Sequence, residues 1–580
     1  MWKKQFHILV NNKLCHVGSN NMFIFIHKVS NWLVIIILFF AIFTSSIRFS
    51  RADNQESLSM EILIKKVKRL RELAAEKADK GFNVSEALKL GEMSREEANK
   101  GNLTRTNELL EFAIKSLEEL TDTKKPVTKI INIPVDAKKV KVTNVVPKFG
   151  WGREVKDFES AFNIKTIFTK DGIVSLEITS EPVYIEEIST TPFLKGKTES
   201  SPFGIHPAYT YKQARIDRKQ LNWLIVKPQK FLFDYTNSLD IGVKWHRPEI
   251  YALWDIVQKS DSDIEKGVFN WETTDYVYGS VPEGINIIAN IEVAESRTLK
   301  KEFPFPKTFR FKTGFLEEKY INFVKKLVER YDGDGIDDMP SLKNPVKYWQ
   351  VSNEPDAVSK DWEGYAHLLE ITYKAVKETC ATCKVASGGL FQFPEGVHNF
   401  YAPVLKKLKG KYIDIFDFHP YGDKLVWKTY EEIVNAIKKG LSENGYNKTE
   451  IWITETGTYS GKPETIVLRQ TEKEQANGLV KMYTSALSLG VKKIFWSFGL
   501  MEGFTDANKF FDHTGMIYDG KGDDDQGYGG GKLSYYTYKM LTEKLEGCNF
   551  SDVQSLKLWE GVYAYKFNKS GKTVYVVWTE

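Results

Sequence analysis

Two glutamates carry the most suggestive chemistry in this 580-residue sequence: Glu354 in WQVSNEPD and Glu455 in WITETG. Each ends a short apolar run of strand-like composition. A carboxylic acid and a carboxylate that face one substrate can cleave a glycosidic bond. One gives its proton to the leaving oxygen while the other attacks the anomeric carbon. Taken singly, each residue has a plainer explanation: a Glu before Pro usually opens a loop, and Thr-Glu-Thr at a strand end is usually surface. Their company changes the weighting. Arg247 in VKWHR, Asn353 beside Glu354, His419 and Tyr421 in FHPYG, and Trp496 in FWSFG all fall where strand-like runs end.

These residues need a scaffold that gathers strand ends at one place. Between residues 199 and 546, eight apolar runs alternate with helical patterns: FGIH (203–206), IGVKW (241–245), INIIANI (285–291), VKYWQVS (346–352), KVASGG (384–389), IDIFDFH (413–419), EIWITE (450–455) and KKIFWSF (492–498). Helical stretches at 315–330, 361–379, 429–444, 471–489 and 533–546 separate them. Eight such units in this length predict an α/β fold of the (β/α)8 TIM-barrel type, which places reacting groups at the C-terminal ends of its strands. The two glutamates then stand across the mouth from each other, on strands four and seven. A doubly wound open sheet is the competing architecture, and no dinucleotide-type glycine fingerprint follows the first strand to support it.

The flanks differ. Lys3, Lys4 and Lys28 precede the apolar run 32–43, with Ser50 and Ala52 beyond it, so 1–52 is expected to be a signal peptide or a membrane anchor. Residues 53–125 show helical spacing with breaks at 81–83 and 100–102, predicting a helical hairpin or spacer. Residues 126–198 and 547–580 alternate apolar and polar residues as strands do. A net charge of +5 from 81 basic and 76 acidic residues gives no reason to expect nucleic acid. Cys380 and Cys383 suit a local disulfide in an exported chain, since no second ligand pair lies near them for zinc. The acidic turn 332–338 (DGDGIDD) lacks the closing glutamate of an EF-hand, and a solvated turn is the simpler expectation beside calcium.

WQVSNEPD and WITETG resemble the acid/base and nucleophile motifs of clan A glycoside hydrolases, in their cellulase-like or β-xylosidase-like branches. VKWHR, FHPYG and FWSFG resemble that clan's motifs on strands two, six and eight. The resemblance implies retaining hydrolysis of β-glycosidic bonds in oligo- or polysaccharides. Glu354 would be the acid/base and Glu455 the nucleophile. Asn353 would bond the sugar 2-hydroxyl, Tyr421 and Arg247 would keep Glu455 ionised, His419 would sit near Glu354, and Trp496 would floor the sugar subsite. No cofactor or metal is implied. After strand three the clan's cellulase-like members often carry a His, whereas this chain has Asn290 and Glu292. Clan members often carry a β-sandwich after the barrel, and here a similar phrase, LEITSEPVYIEE, precedes it. The two β segments are therefore expected to pair as one accessory sandwich, the alternative being two unrelated segments. The protein is expected to be secreted, or held at the cell surface by membrane attachment through its N-terminus. The competing functions are a non-hydrolytic carbohydrate-binding barrel and a transglycosylase.

Overall fold

The computed structural model describes residues 60–79, 84–118, 128–148, 158–188, 198–211, 232–293, 309–311, 313–464, 466, 468–503, 508–521, 527–556, 560–569 and 571–580. The N-terminal targeting segment expected at 1–52 lies outside them. Among the described residues no helix is long and apolar enough to cross a membrane. The chain divides into two units, residues 1–65 and 66–580. Of the first, only 60–65 is described, the start of the helix Met60–Asp79. The helices Ser85–Asn99 and Leu103–Glu118 follow, and the latter buries Leu109, Leu110, Ala113 and Leu117 along one stripe.

Eight parallel strands close into a barrel: Phe203–His206, Trp245–His246, Asn286–Glu292, Tyr348–Val351, Lys384–Ser387, Ile415–Asp417, Glu450–Thr456 and Ile494–Ser497. Closure is made where strand eight pairs with strand one, Ile494 opposite Phe203, and strand one pairs with strand two, Gly204 opposite Trp245. Strand two is shorter and later than its apolar run predicts. The helical turn Thr236–Asp240 that precedes the run ends on Ile241, and Gly242 then takes a left-handed φ of 81° against Thr542, so the ladder starts only at Trp245.

Alternation along the strands sorts the barrel interior into layers. Trp245, Ile288, Ala386, Ile415, Trp452 and Phe495 form a closed apolar layer low in the barrel. Two residues further along four of these strands stand Arg247, Asn290, Asp417 and Thr454, so the layer above is polar. The outward-facing residues pack under helices such as Gly314–Tyr331, Trp362–Thr379 and Glu472–Ser488.

The β segments that flank the barrel share one antiparallel sheet of six strands. Its order is Gln554–Ser555, Val562–Lys569, Lys572–Thr579, Val183–Glu187, Lys139–Asn144 and Ile164–Phe168. The seam lies between Val577 and Val183 and between Val574 and Glu186. One face covers the two-stranded pair Lys129–Pro134 and Ile173–Ile178 through Ile131, Val140, Ile185 and Val577. The other face turns Tyr184, Phe567, Val576 and Trp578 into the core that surrounds the barrel. With both faces covered, Lys572–Thr579 reads KTVYVVWT, almost continuously apolar. Cys380 and Cys383 are joined by a disulfide, and Cys548 is a buried free thiol.

Candidate active site

The C-terminal ends of the strands bring together Arg247, Asn353, Glu354, His419, Tyr421 and Glu455, six of the seven residues the motifs single out. Glu455 is almost fully buried, at 3% side-chain exposure. Arg247 Nη1 donates to its Oε1 at 2.7 Å, and the Tyr421 hydroxyl donates to its Oε2 at 2.7 Å. Burial alone would raise the carboxyl's pKa. The positive charges of His419 and Arg247 and the Tyr421 hydrogen bond outweigh that effect and hold it at about 2. Tyr421 is itself supported by Phe510 and Phe511 of the loop after strand eight, whose rings meet it edge-on at 5.9 and 5.0 Å. Two stretches of that loop, 504–507 and 522–526, lie outside the described residues.

Glu354 has the opposite setting. Its side chain is 20% exposed, and its nearest partner is His419, with Nδ1 at 2.8 Å from Oε1. Partial desolvation raises its pKa, the hydrogen bond from His419 opposes this, and the negative charge of Glu455 adds to the rise. A charge count agrees with a protonated Glu354. Arg247 and a cationic His419 already face two carboxylates, Glu455 and Asp417, so a further anion has no counterion left. His419 is held cationic, at about 10: burial disfavours its charge, but Glu455 and Asp417 more than compensate. Asp417 fixes that ring at Nε2 (3.0 Å) while accepting from the Thr454 hydroxyl and backbone and from Gln350 Nε2 at 2.6 Å. The ring fits because residue 389 is glycine; a Cβ there would stand 2.1 Å from His419 Nε2.

Beneath the carboxylates Arg247 is fully committed. Nε donates to Gln350 Oε1 at 2.7 Å, Nη2 to Asn353 Oδ1 at 2.7 Å, and Nη1 to His206 Nε2 at 2.8 Å as well as to Glu455. The guanidinium only donates, so His206 Nε2 accepts and its Nδ1–H donates to the Arg247 carbonyl at 2.8 Å. Burial and the neighbouring Arg247 push His206 down to about 3, so it is neutral, and its 3.5 Å approach to Glu455 is no ion pair. His206, Gln350 and Asp417 belong to the site although no motif singled them out. Asp417 sits one strand alternation before His419 and shares its face, while His206 and Gln350 have no such neighbour among the singled-out residues and join the site through Arg247.

Trp496 does not floor the mouth. Phe495 and Ser497 point into the barrel, so Trp496 points outward, wholly buried among the helices, with its indole N–H on the Thr514 carbonyl at 2.8 Å. Among the half-buried aromatics at the mouth is Phe498, joined to Ser497 by a cis peptide, with its ring 4.8 Å from His206.

Donor atoms of Glu354, His419 and Glu455 lie within 4.8 Å of one another. The trio is ill suited to a metal: a cationic His419 has no free lone pair, and Arg247 already neutralises Glu455. A second cluster, Asp332, Asp334 and Asp338, lies in the DGDGIDD turn. There Asp338 accepts the amides of Gly333 and Gly335 at 2.9 and 2.7 Å, so the carboxylates are engaged in shaping the turn.

No protein-family profile matches the chain, and no curated protein does. Solved structures align with it at a distance. A family 39 glycoside hydrolase from the gut symbiont Bacteroides cellulosilyticus WH2 is similar over 78% of this chain and 87% of its own, at 16% identity and a TM-score of 0.46. A glucosidase from Croceicoccus marinus is similar over 64% and 76%, at 15% identity and a TM-score of 0.43. A monomeric beta-xylosidase from Caulobacter crescentus CB15 is similar over 65% and 75%, at 15% identity and a TM-score of 0.39. Likenesses this distant bear on neither activity nor substrate, which rest on the side chains at the barrel mouth.

Proposed function

We propose that the protein is a retaining β-glycoside hydrolase of clan A, with Glu455 as nucleophile and Glu354 as acid/base. One observation carries the reading. A carboxylate oxygen of Glu354 and one of Glu455 lie within 4.8 Å of each other, while their surroundings drive one acid to stay protonated and the other to stay ionised. Retaining enzymes hold their two carboxyls roughly 5–5.5 Å apart, whereas inverting enzymes leave roughly 6.5–9.5 Å for a water. The separation here supports direct attack.

In the first step Glu455 attacks the anomeric carbon as Glu354 gives its proton to the departing oxygen, and a glycosyl ester forms on Glu455. In the second, Glu354, now ionised, takes a proton from water, whose oxygen displaces Glu455 with a second inversion. Arg247 orients both partners: it neutralises Glu455 and, by donating to Asn353 Oδ1, leaves the Asn353 amide N–H free to meet the sugar 2-hydroxyl. The substrate class is an oligo- or polysaccharide outside the cytoplasm, in keeping with the signal peptide or membrane anchor expected over residues 1–52.

The reading is tested with a panel of aryl β-glycosides and their 2-deoxy-2-fluoro analogues. The expected outcome is turnover of at least one glycoside, release of the β-anomer first, and a fluoroglycosyl label on Glu455 by peptide mapping. Release of the α-anomer, or a label elsewhere, would refute it.

A further inference from the structure

We infer that barrel strand three supplies a pair of positioning residues, Asn290 and Glu292, which hold the turn that bears Glu354 in the backbone conformation that aims the acid. The inference rests on the proposed role of Glu354, since neither residue contacts it directly. The turn is an unusual one. Ser352 and Glu354 flank Asn353 with φ values of 64° and 46°, both in the left-handed region that side chains with a Cβ rarely adopt. Such a conformation persists only where its surroundings over-determine it.

Strand three grips Ser352 at every polar atom it has. The Ser352 amide donates to the Ile291 carbonyl at 2.9 Å, its hydroxyl donates to Glu292 Oε1 at 2.9 Å, and its carbonyl accepts from Asn290 Nδ2 at 3.1 Å. Asn290 Nδ2 also reaches Gln350 Oε1 at 3.2 Å, so one amide spans the chain from 350 to 352. Both side chains are buried, and alternation puts both on the inner face. From the other side strand five closes the vice: a Cβ on Gly388 would stand 2.8 Å from the Ser352 carbonyl and 2.8 Å from Pro355. Plain interstrand cohesion does not require this. The paired register between strands three and four ends at Val351, and Ser352 beyond it is held by two side-chain bonds in addition to its backbone one.

A residue that merely holds the barrel together would, when lost, slow all substrates alike. A residue that aims a general acid matters most where the leaving group needs a proton. Asn290→Ala, Glu292→Ala and Glu292→Gln are therefore compared with wild type and with Glu354→Ala on two aryl β-glycosides of one sugar, a phenyl and a 2,4-dinitrophenyl glycoside. Asn290→Ala and Glu292→Ala are expected to lower kcat/KM for the phenyl glycoside by roughly 10–100-fold, a fraction of what losing a general acid removes. The dinitrophenyl glycoside should be nearly unaffected. Glu292→Gln, whose amide oxygen still accepts from Ser352, should recover most of the loss. Hydrogen exchange in full-length protein should quicken at the peptide covering 349–358 in both alanine variants and stay unchanged elsewhere. Equal losses on both glycosides, or unchanged exchange at that peptide, would overturn the inference. If Glu354→Ala itself shows no leaving-group dependence, the acid/base reading fails, and the exchange measurement alone decides the grip.

Discussion

The two ends of the barrel are built from the same eight strands and contrast in every physical respect. Low in the barrel, Trp245, Trp452 and Phe495 meet one another edge-on or stacked, and the buried Lys493 ammonium lies 4.8 Å from the Trp245 ring. Two to four residues further along, at the mouth, Arg247, Asp417, His419 and Glu455 are buried charges held by hydrogen bonds. Burial of apolar surface stabilises the lower layer, while buried charges that offset one another's desolvation add little net stability. Stability is therefore concentrated low in the barrel and reactivity at the mouth, only a few residues apart.

The sharpest way to break this division is at the nucleophile. Glu455→Gln should lower kcat on the order of 10⁴–10⁶-fold, as loss of a covalent nucleophile does, with little change in Tm. A large fall in Tm with modest activity loss would place Glu455 among the structural groups. Glu354→Ala should cost roughly 10²–10⁴-fold on substrates with poor leaving groups, and added azide should restore turnover of activated ones as a β-glycosyl azide. Gly389→Ala forces a methyl into the His419 ring and should cost about 10²-fold through misplacement of the acid; wild-type kinetics in that variant would show His419 to be dispensable.

Low in the barrel the expectation reverses. Trp452→Ala should destabilise by roughly 3–5 kcal/mol while the folded fraction keeps its kcat/KM and its pH optimum. The smallest effect is on pH. Glu354 must be protonated to act and its pKa is raised above the ordinary 4.5, so activity should fall as pH rises through that raised value. Glu455 stays ionised down to about 2, so the acidic side should remain flat over the range where the protein is folded. His419 lowers the pKa of Glu354, and His419→Gln should therefore move the alkaline limb upward; a downward move would mean that His419 does not act on Glu354 as a charge.

Much of this arrangement was legible from the chain alone. The eight apolar runs are the eight strands, and motifs at their ends converge because parallel strands in a barrel all finish on one face. What escaped was orientation and local geometry. A period of two decides whether Trp496 or its neighbours face the mouth, and a shift of one residue reverses the answer. Strand two begins late because the run 241–245 opens at the C-cap of a helical turn, Ile241, and passes Gly242 at positive φ before it can pair. His206 and Gln350 carry no such signal; their part in the site comes from hydrogen bonds to Arg247, tens to hundreds of positions away, which no local pattern records.

The seam between Val183–Glu187 and Lys572–Thr579 has a consequence for biosynthesis. Glu187 accepts the amide of Thr573 across 386 positions, so the edge it belongs to waits through synthesis of the entire barrel before its partner emerges. Until then an apolar β edge is open to any passing strand, a recognised route to misassembly. Contacts of such long range also slow folding, because the intervening chain must be ordered before they can reward it.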